Sequence, residues 1–256
     1  MSIEIKTEYP NNYIYINFSP KGNLQVEKIR NGDTYKISNE DIQKYFKEIL
    51  SIVDKKFVKI KYRRLLFINS YLCLENFRDV MEGVIDKLIN NNDKFESNKL
   101  GSFGYLFGKT KNCRLKFIEN CKKYPDKFEY ISTNRYNKDD PTMLSWIDIK
   151  RKYKYLINLP GHTYCTKIYP MLFCKRLVFY SVPNLLFKWE EGLEPWVHYV
   201  PVKNDMSDLL EKYEWAESNE DKVKEIVENC YNYALTKMSP NIMKLKLVEL
   251  VESKLE

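Results

Sequence analysis

Two stretches of the chain place a glycine and a cation where an anion could be held. In the first, Phe103 to Phe107 has strand character and is followed by Gly108, Lys109 and Thr110; the helical run Asn112 to Tyr124 then carries Arg114. In the second, the apolar run Tyr155 to Leu159 is stopped by Pro160 and Gly161, and a helical pattern from Thr163 to Phe173 carries Lys167. A strand, a Gly turn and a helix start turn free backbone N–H groups and the positive end of the helix dipole toward the turn. A cation nearby adds a full charge, which suits a phosphate or diphosphate. The plainer alternative is an ordinary βαβ unit with a surface lysine, and spacing alone does not decide between them. Gly108-Lys109-Thr110 also has the ending of a P-loop. That motif, GxxxxGK[ST], needs a glycine where Phe103 stands, so the P-loop reading is set aside.

The elements that must position these residues follow from periodicity. Residues 3 to 37 read as strands joined by turns: Tyr13 to Phe18 and Leu24 to Ile29 alternate, and Asn31-Gly32 signals a hairpin. Ser38 caps a helix with an apolar face at Ile42, Phe46, Ile49 and Val53. Phe57 to Asn69 is strand-like, and Glu75 to Asn90 has helical spacing at Phe77, Val80, Met81, Val84 and Leu88. The polar stretch Asn90 to Lys99 is the expected boundary between a domain of residues 1–99 and one of 100–256. Beyond it, strands and helices alternate, with Phe128 to Ile131 and Leu177 to Tyr180 as further strands and Ser145 with Asp148 as a capping box. Such alternation predicts a parallel sheet covered by helices. Three helices close the chain: Asp208 to Glu217, Glu220 to Lys237 and Asn241 to Leu255.

Composition bounds the rest. The 256 residues are 44% hydrophobic and 30% charged with a net charge of +7, which fits a globular α/β protein. The positive charges are interspersed with acids, and no single element interleaves aromatic and basic residues. Nucleic acid is therefore not an expected partner. No apolar run approaches the ~20 residues of a membrane span, and Met1 to Pro10 has no signal-peptide pattern. Six cysteines without CxxC spacing read as reduced thiols rather than as a disulfide or zinc framework, so a cytoplasmic setting is expected.

The stretch Tyr153 to Lys203 resembles glycosyltransferase family 90, the capsule-associated and protein O-glucosyltransferase-like enzymes. Its residues YKYL, the Gly161 turn with its helix, and Pro195-Trp196-Val197-His198-Tyr199-Val200-Pro201-Val202-Lys203 match the family's signatures, and the likeness covers about Phe103 to Tyr233. The resemblance implies two Rossmann-like halves in the GT-B arrangement, with a short, divergent first half facing the acceptor. It implies inverting transfer of glucose, xylose or a related sugar from a UDP-sugar, a substrate rather than a cofactor, to a hydroxyl of a glycan or protein, with no metal ion. It implies a donor site of Gly108, Lys109, Arg114, Gly161, Thr163, Cys165, Lys167 and His198. Lys167 stands where the family has a diphosphate-binding Arg, Cys165 where it has Ser, and Phe107 where it has the Arg of Phe-Arg-Gly. Lys neutralises a phosphate but lacks the bidentate fork. Asp79, in Asn76-Phe77-Arg78-Asp79, resembles the context of the family's base, with Glu75 and Glu82 as rival carboxylates and a solvated helix Asp as the plainer reading. Asp139-Asp140 before Pro141 reads as a turn rather than a metal motif. The departures leave a second expectation open: a non-catalytic descendant that binds glycans or partner proteins.

Overall fold

The computed structural model describes residues 2–3, 12–18, 24–30, 33–36, 64–68, 83–104, 112–133, 144–159, 167–181, 192–239 and 242. The chain divides into two compact units, Met1–Val80 with Pro240–Glu256, and Met81–Ser239. The Asn-rich stretch 90–99 runs inside the second unit. The helical readings around Ser38 and over 241–255 lie outside the described residues.

In the first unit the strands are β1 (Ser2–Ile3), β2 (Asn12–Phe18), β3 (Leu24–Arg30), β4 (Asp33–Lys36) and β5 (Arg64–Ile68). They form one sheet in the order β1-β5-β2-β3-β4. Only β1 and β5 pair in parallel; β5 with β2, β2 with β3 and β3 with β4 are antiparallel. Arg30 pairs with Asp33, so the Asn31-Gly32 hairpin is where its sequence put it. A two-residue connection permits nothing but antiparallel pairing, because a parallel partner needs a crossover of a dozen residues or more. The Rossmann-like character therefore lies in the second unit.

That unit opens with α1 (83–89) and continues with β6 (Ser97–Gly104), α2 (Asn112–Lys123), β7 (Phe128–Ser132), α3 (Trp146–Lys152), β8 (Tyr153–Asn158), α4 (Ile168–Leu172), β9 (Leu177–Tyr180) and β10 (Val200–Pro201). It ends with α5 (Leu209–Ser218) and α6 (Glu220–Tyr233), which runs on as a π-helical turn, Ala234–Met238. All five strands are parallel, in the order β10-β9-β8-β6-β7. Counted from β6, this is the doubly wound 2-1-3-4-5 order. Its switch point lies between β6 and β8, where successive connections leave in opposite directions and a crevice opens at the carboxyl ends.

The sequence explains the layers. The apolar runs of β8 and β9 are buried on both faces, as a sheet sandwiched by helices requires. On one face, Leu100, Tyr155, Ile157, Leu177 and Phe179 pack with Phe117 of α2, Tyr213 of α5 and Ile226 of α6. On the other, Phe103 meets Trp146 of α3 edge to face at 5.1 Å. The Ser145 capping box forms as its sequence implies: the Ser145 hydroxyl accepts the Asp148 N–H at 3.2 Å, and the Asp148 carboxylate accepts the Ser145 N–H at 3.0 Å.

Two buried cations fasten the lower end of this sheet. Lys150, 1% exposed, donates to the Leu88 carbonyl at 2.8 Å and the Asn91 carbonyl at 3.2 Å, and pairs with Asp93 at 2.7 Å. Arg176 donates to the carbonyls of Lys94, Lys150 and Tyr153, covering the C-terminal end of α3. Burial pushes the Asp93 carboxyl up, but the hydrogen bond and charge of Lys150, with Lys175 and Arg176, outweigh it and hold the group below its usual value.

Candidate functional site at the end of strand β6

Gly104 ends β6 at the switch point with φ +152°, a backbone conformation that favours glycine. A Cβ placed on it would stand 2.8 Å from Lys167 Nζ, 3.3 Å from the Tyr130 hydroxyl and 3.9 Å from Arg114 Nη1. An ammonium, a phenol and a guanidinium thus converge on one peptide that only glycine leaves open. Arg114 comes from the first turn of α2, Tyr130 from β7, and Lys167 from the residue that caps α4. Lys167 donates to the Phe103 carbonyl and lies over the Phe103 ring, 4.7 Å from its centroid. The Tyr130 O–H donates to the Gly104 carbonyl at 3.1 Å, and that oxygen also accepts the Thr133 N–H at 3.1 Å. Two cations fixed at the carboxyl ends of parallel strands can hold an anion, and a diphosphate is of the size and charge to bridge them.

The geometry departs from the sequence reading in two places. Lys167 caps its helix rather than lying one turn into it, and α4 has only five residues, too few for the dipole to matter. The positive field there belongs to the two side chains. His198 stands apart, in the turn just ahead of β10. Its Nδ1 accepts the Glu194 N–H at 3.0 Å and its ring lies 5.0 Å from that of Tyr233. Burial lowers its pKa and outweighs the charge of Glu194 and the backbone hydrogen bond with that residue, both of which pull it up. The neighbouring Trp196 takes φ 64° and packs edge to face on Trp215 at 4.9 Å, with Lys212 over its ring.

Gly108, Lys109, Gly161, Thr163, Cys165 and Asp79 lie outside the described residues, as do Asp139 and Asp140. Among the described residues no three His, Cys, Asp or Glu side chains gather as a metal site, and no helix is long and apolar enough to cross a membrane. Cys121, Cys174 and Cys230 are free thiols with pKa values pushed up to about 12, chiefly by burial. Two side chains at this end of the sheet are buried without a hydrogen bond: the Ser102 hydroxyl and the Asn158 amide, 1% and 0% exposed. Gly104 and Tyr130 were not among the residues read from sequence. The available signal was a glycine inside a strand pattern, which marks a close approach to the backbone.

A doubly wound sheet with cations at its switch point defines a class of nucleotide- and phosphate-binding folds. Within it, the profile of glycosyl transferase family 90 matches residues 86–250, and the chain belongs to that family. Uncharacterized protein 179R of Invertebrate iridescent virus 6 is 35% identical over 119 residues, 43% of this chain and 10% of that protein. Protein O-glucosyltransferase 3 of Homo sapiens is 42% identical over 76 residues, 29% of this chain and 15% of that protein. Protein O-glucosyltransferase 1 of Bos taurus is 36% identical over 84 residues, 33% of this chain and 21% of that protein. The matched stretches thus span from a tenth to about a fifth of these relatives' length. A glycosyltransferase from Rickettsia africae aligns over 87% of this chain and 69% of its own, with a TM-score of 0.46 at 15% identity.

Proposed function

We propose that the chain is a glycosyltransferase that binds a UDP-sugar at the carboxyl ends of β6 and β8 and transfers glucose, xylose or a related sugar to a hydroxyl of a glycan or protein. The observation that carries this reading is the convergence of Arg114 and Lys167 on Gly104 at the switch point. Departure of UDP leaves negative charge on the diphosphate, and two fixed cations stabilise that charge without a metal ion. Inversion requires a base for the acceptor hydroxyl, a role we assign to Asp79. The free thiols of Cys121, Cys174 and Cys230 among the described residues support a reducing compartment, and we place the protein in the cytoplasm.

Calorimetric titration of the whole chain with UDP tests the donor site, and turnover of UDP-glucose and UDP-xylose over an acceptor panel, with and without EDTA, tests the reaction. Binding at sub-millimolar UDP and turnover that survives EDTA are expected. UDP binding without turnover of either donor would favour the glycan- or partner-binding descendant, in which Lys167 keeps its bond to the Phe103 carbonyl as a structural tie. Absence of binding at several millimolar UDP would refute the donor site.

A further inference from the structure

Tyr130 reaches the site along an unusual path. Its register partner on β6 is Ser102, two residues before Gly104, and its ring packs edge on against Phe117 at 6.3 Å. Phe117 is fully buried and lies one turn after Arg114 on α2, so the same helix sets both the phenol and the guanidinium. From this fixed ring the hydroxyl extends toward the strand end and donates to the Gly104 carbonyl. Lys167 donates to the carbonyl before it, that of Phe103. The last two carbonyl oxygens of β6 are therefore covered by side-chain donors. Carbonyl oxygens left bare at the carboxyl end of a strand present partial negative charge to whatever enters the crevice, and that repels a phosphate. Donors placed on them remove the repulsion and fix the Gly104 peptide in the one orientation that leaves room for both cations.

We propose that Tyr130 is a positioning residue for the donor phosphates: its hydroxyl holds the Gly104 peptide so that Arg114 and Lys167 present their charge to the same anion. The proposal deepens the UDP-sugar reading and rests on it. Tyr130→Phe keeps the ring against Phe117 and removes the hydroxyl alone. Tyr213→Phe is the control, because its O–H donates at 3.2 Å to the Asn98 carbonyl at the other end of β6. The experiment measures UDP and inorganic pyrophosphate binding to both variants by calorimetry, with thermal unfolding alongside. Tyr130→Phe should weaken both ligands about three- to tenfold, in the range set by a lost neutral hydrogen bond, while Tyr213→Phe leaves both affinities unchanged. Unchanged affinity in Tyr130→Phe, or an equal loss in Tyr213→Phe, would overturn the proposal and leave the donor site standing. Wild-type protein that binds pyrophosphate but not UDP would remove the nucleotide reading alone; the role of Tyr130 would stand if its variant weakens pyrophosphate and fall if it does not. Binding of neither ligand would overturn both.

Discussion

Gly104→Ala perturbs the site at the point where backbone and chemistry meet. At φ +152° an L-residue is strained by about 1–3 kcal/mol. The added methyl would stand 2.8 Å from Lys167 Nζ and 3.3 Å from the Tyr130 hydroxyl. Lysine is flexible and will yield first, giving up its bond to the Phe103 carbonyl. A hydrogen bond from a charged donor contributes about 1.5–3 kcal/mol, less here because water can reach part of the side chain. We expect a stability loss of about 2–4 kcal/mol in urea unfolding. With Lys167 displaced, UDP affinity should fall about tenfold or more, the equivalent of 1.4 kcal/mol or more. Gly83→Ala serves as the control: a Cβ there meets nothing within 4 Å, and in helix α1 it should be neutral or stabilise by up to about 1 kcal/mol. Gly104→Ala with less than about 1 kcal/mol lost and unchanged UDP affinity would refute the account of the site.

Lys167→Ala should fold and bind UDP about ten- to a hundredfold more weakly, while Lys167→Arg should be tolerated; equal affinity of Lys167→Ala and wild type in the same titration would misplace the site. Asn158→Leu removes a buried amide without a hydrogen bond and should raise the unfolding midpoint, by about 1 kcal/mol of stability; a lower midpoint would show that the amide has a structural partner. His198 has a folded pKa below its ordinary 6.5, so the unfolded chain takes the proton more readily. Its contribution is complete above pH 6.5 and is lost as pH falls through the depressed folded value, and His198→Gln should flatten that part of a stability-versus-pH curve. Alkylation of the chain unfolded in denaturant without reductant, followed by mass spectrometry, should label all six thiols, and an unlabelled pair would reveal a disulfide.

Much of the second unit was legible where local chemistry sufficed. Leu177–Tyr180 forms the strand its apolar run implies, and Ser145 with Asp148 caps a helix because both halves of that cap lie three residues apart in the chain. Strand β6 was legible only at its end. Its first residues, Ser97-Asn98-Lys99, are polar, and they enter the sheet along β8, where Ser97 pairs with Tyr153, while β7 joins from Leu100. Gly104 was hidden for the same reason: inside a strand pattern nothing local reveals which side chains will crowd a glycine. Arg114 and Lys167 are 53 residues apart in sequence, and only the crossover between β6 and β8 unites them. A lysine such as Lys150 reads as surface because its partners, the carbonyls of Leu88 and Asn91, carry no signature in the sequence.

The fastening of Lys150 and Arg176 governs where the chain can be cut. A fragment beginning at Leu100 would keep four of the five parallel strands whole but strip both cations of acceptors supplied by Leu88, Asn91, Asp93 and Lys94. An ammonium that is 1% exposed would then have to be abandoned in the interior or drag its helix toward water. The segment 83–97 therefore behaves as a strap belonging to the sheet it precedes, and the smallest piece able to fold independently must begin ahead of α1.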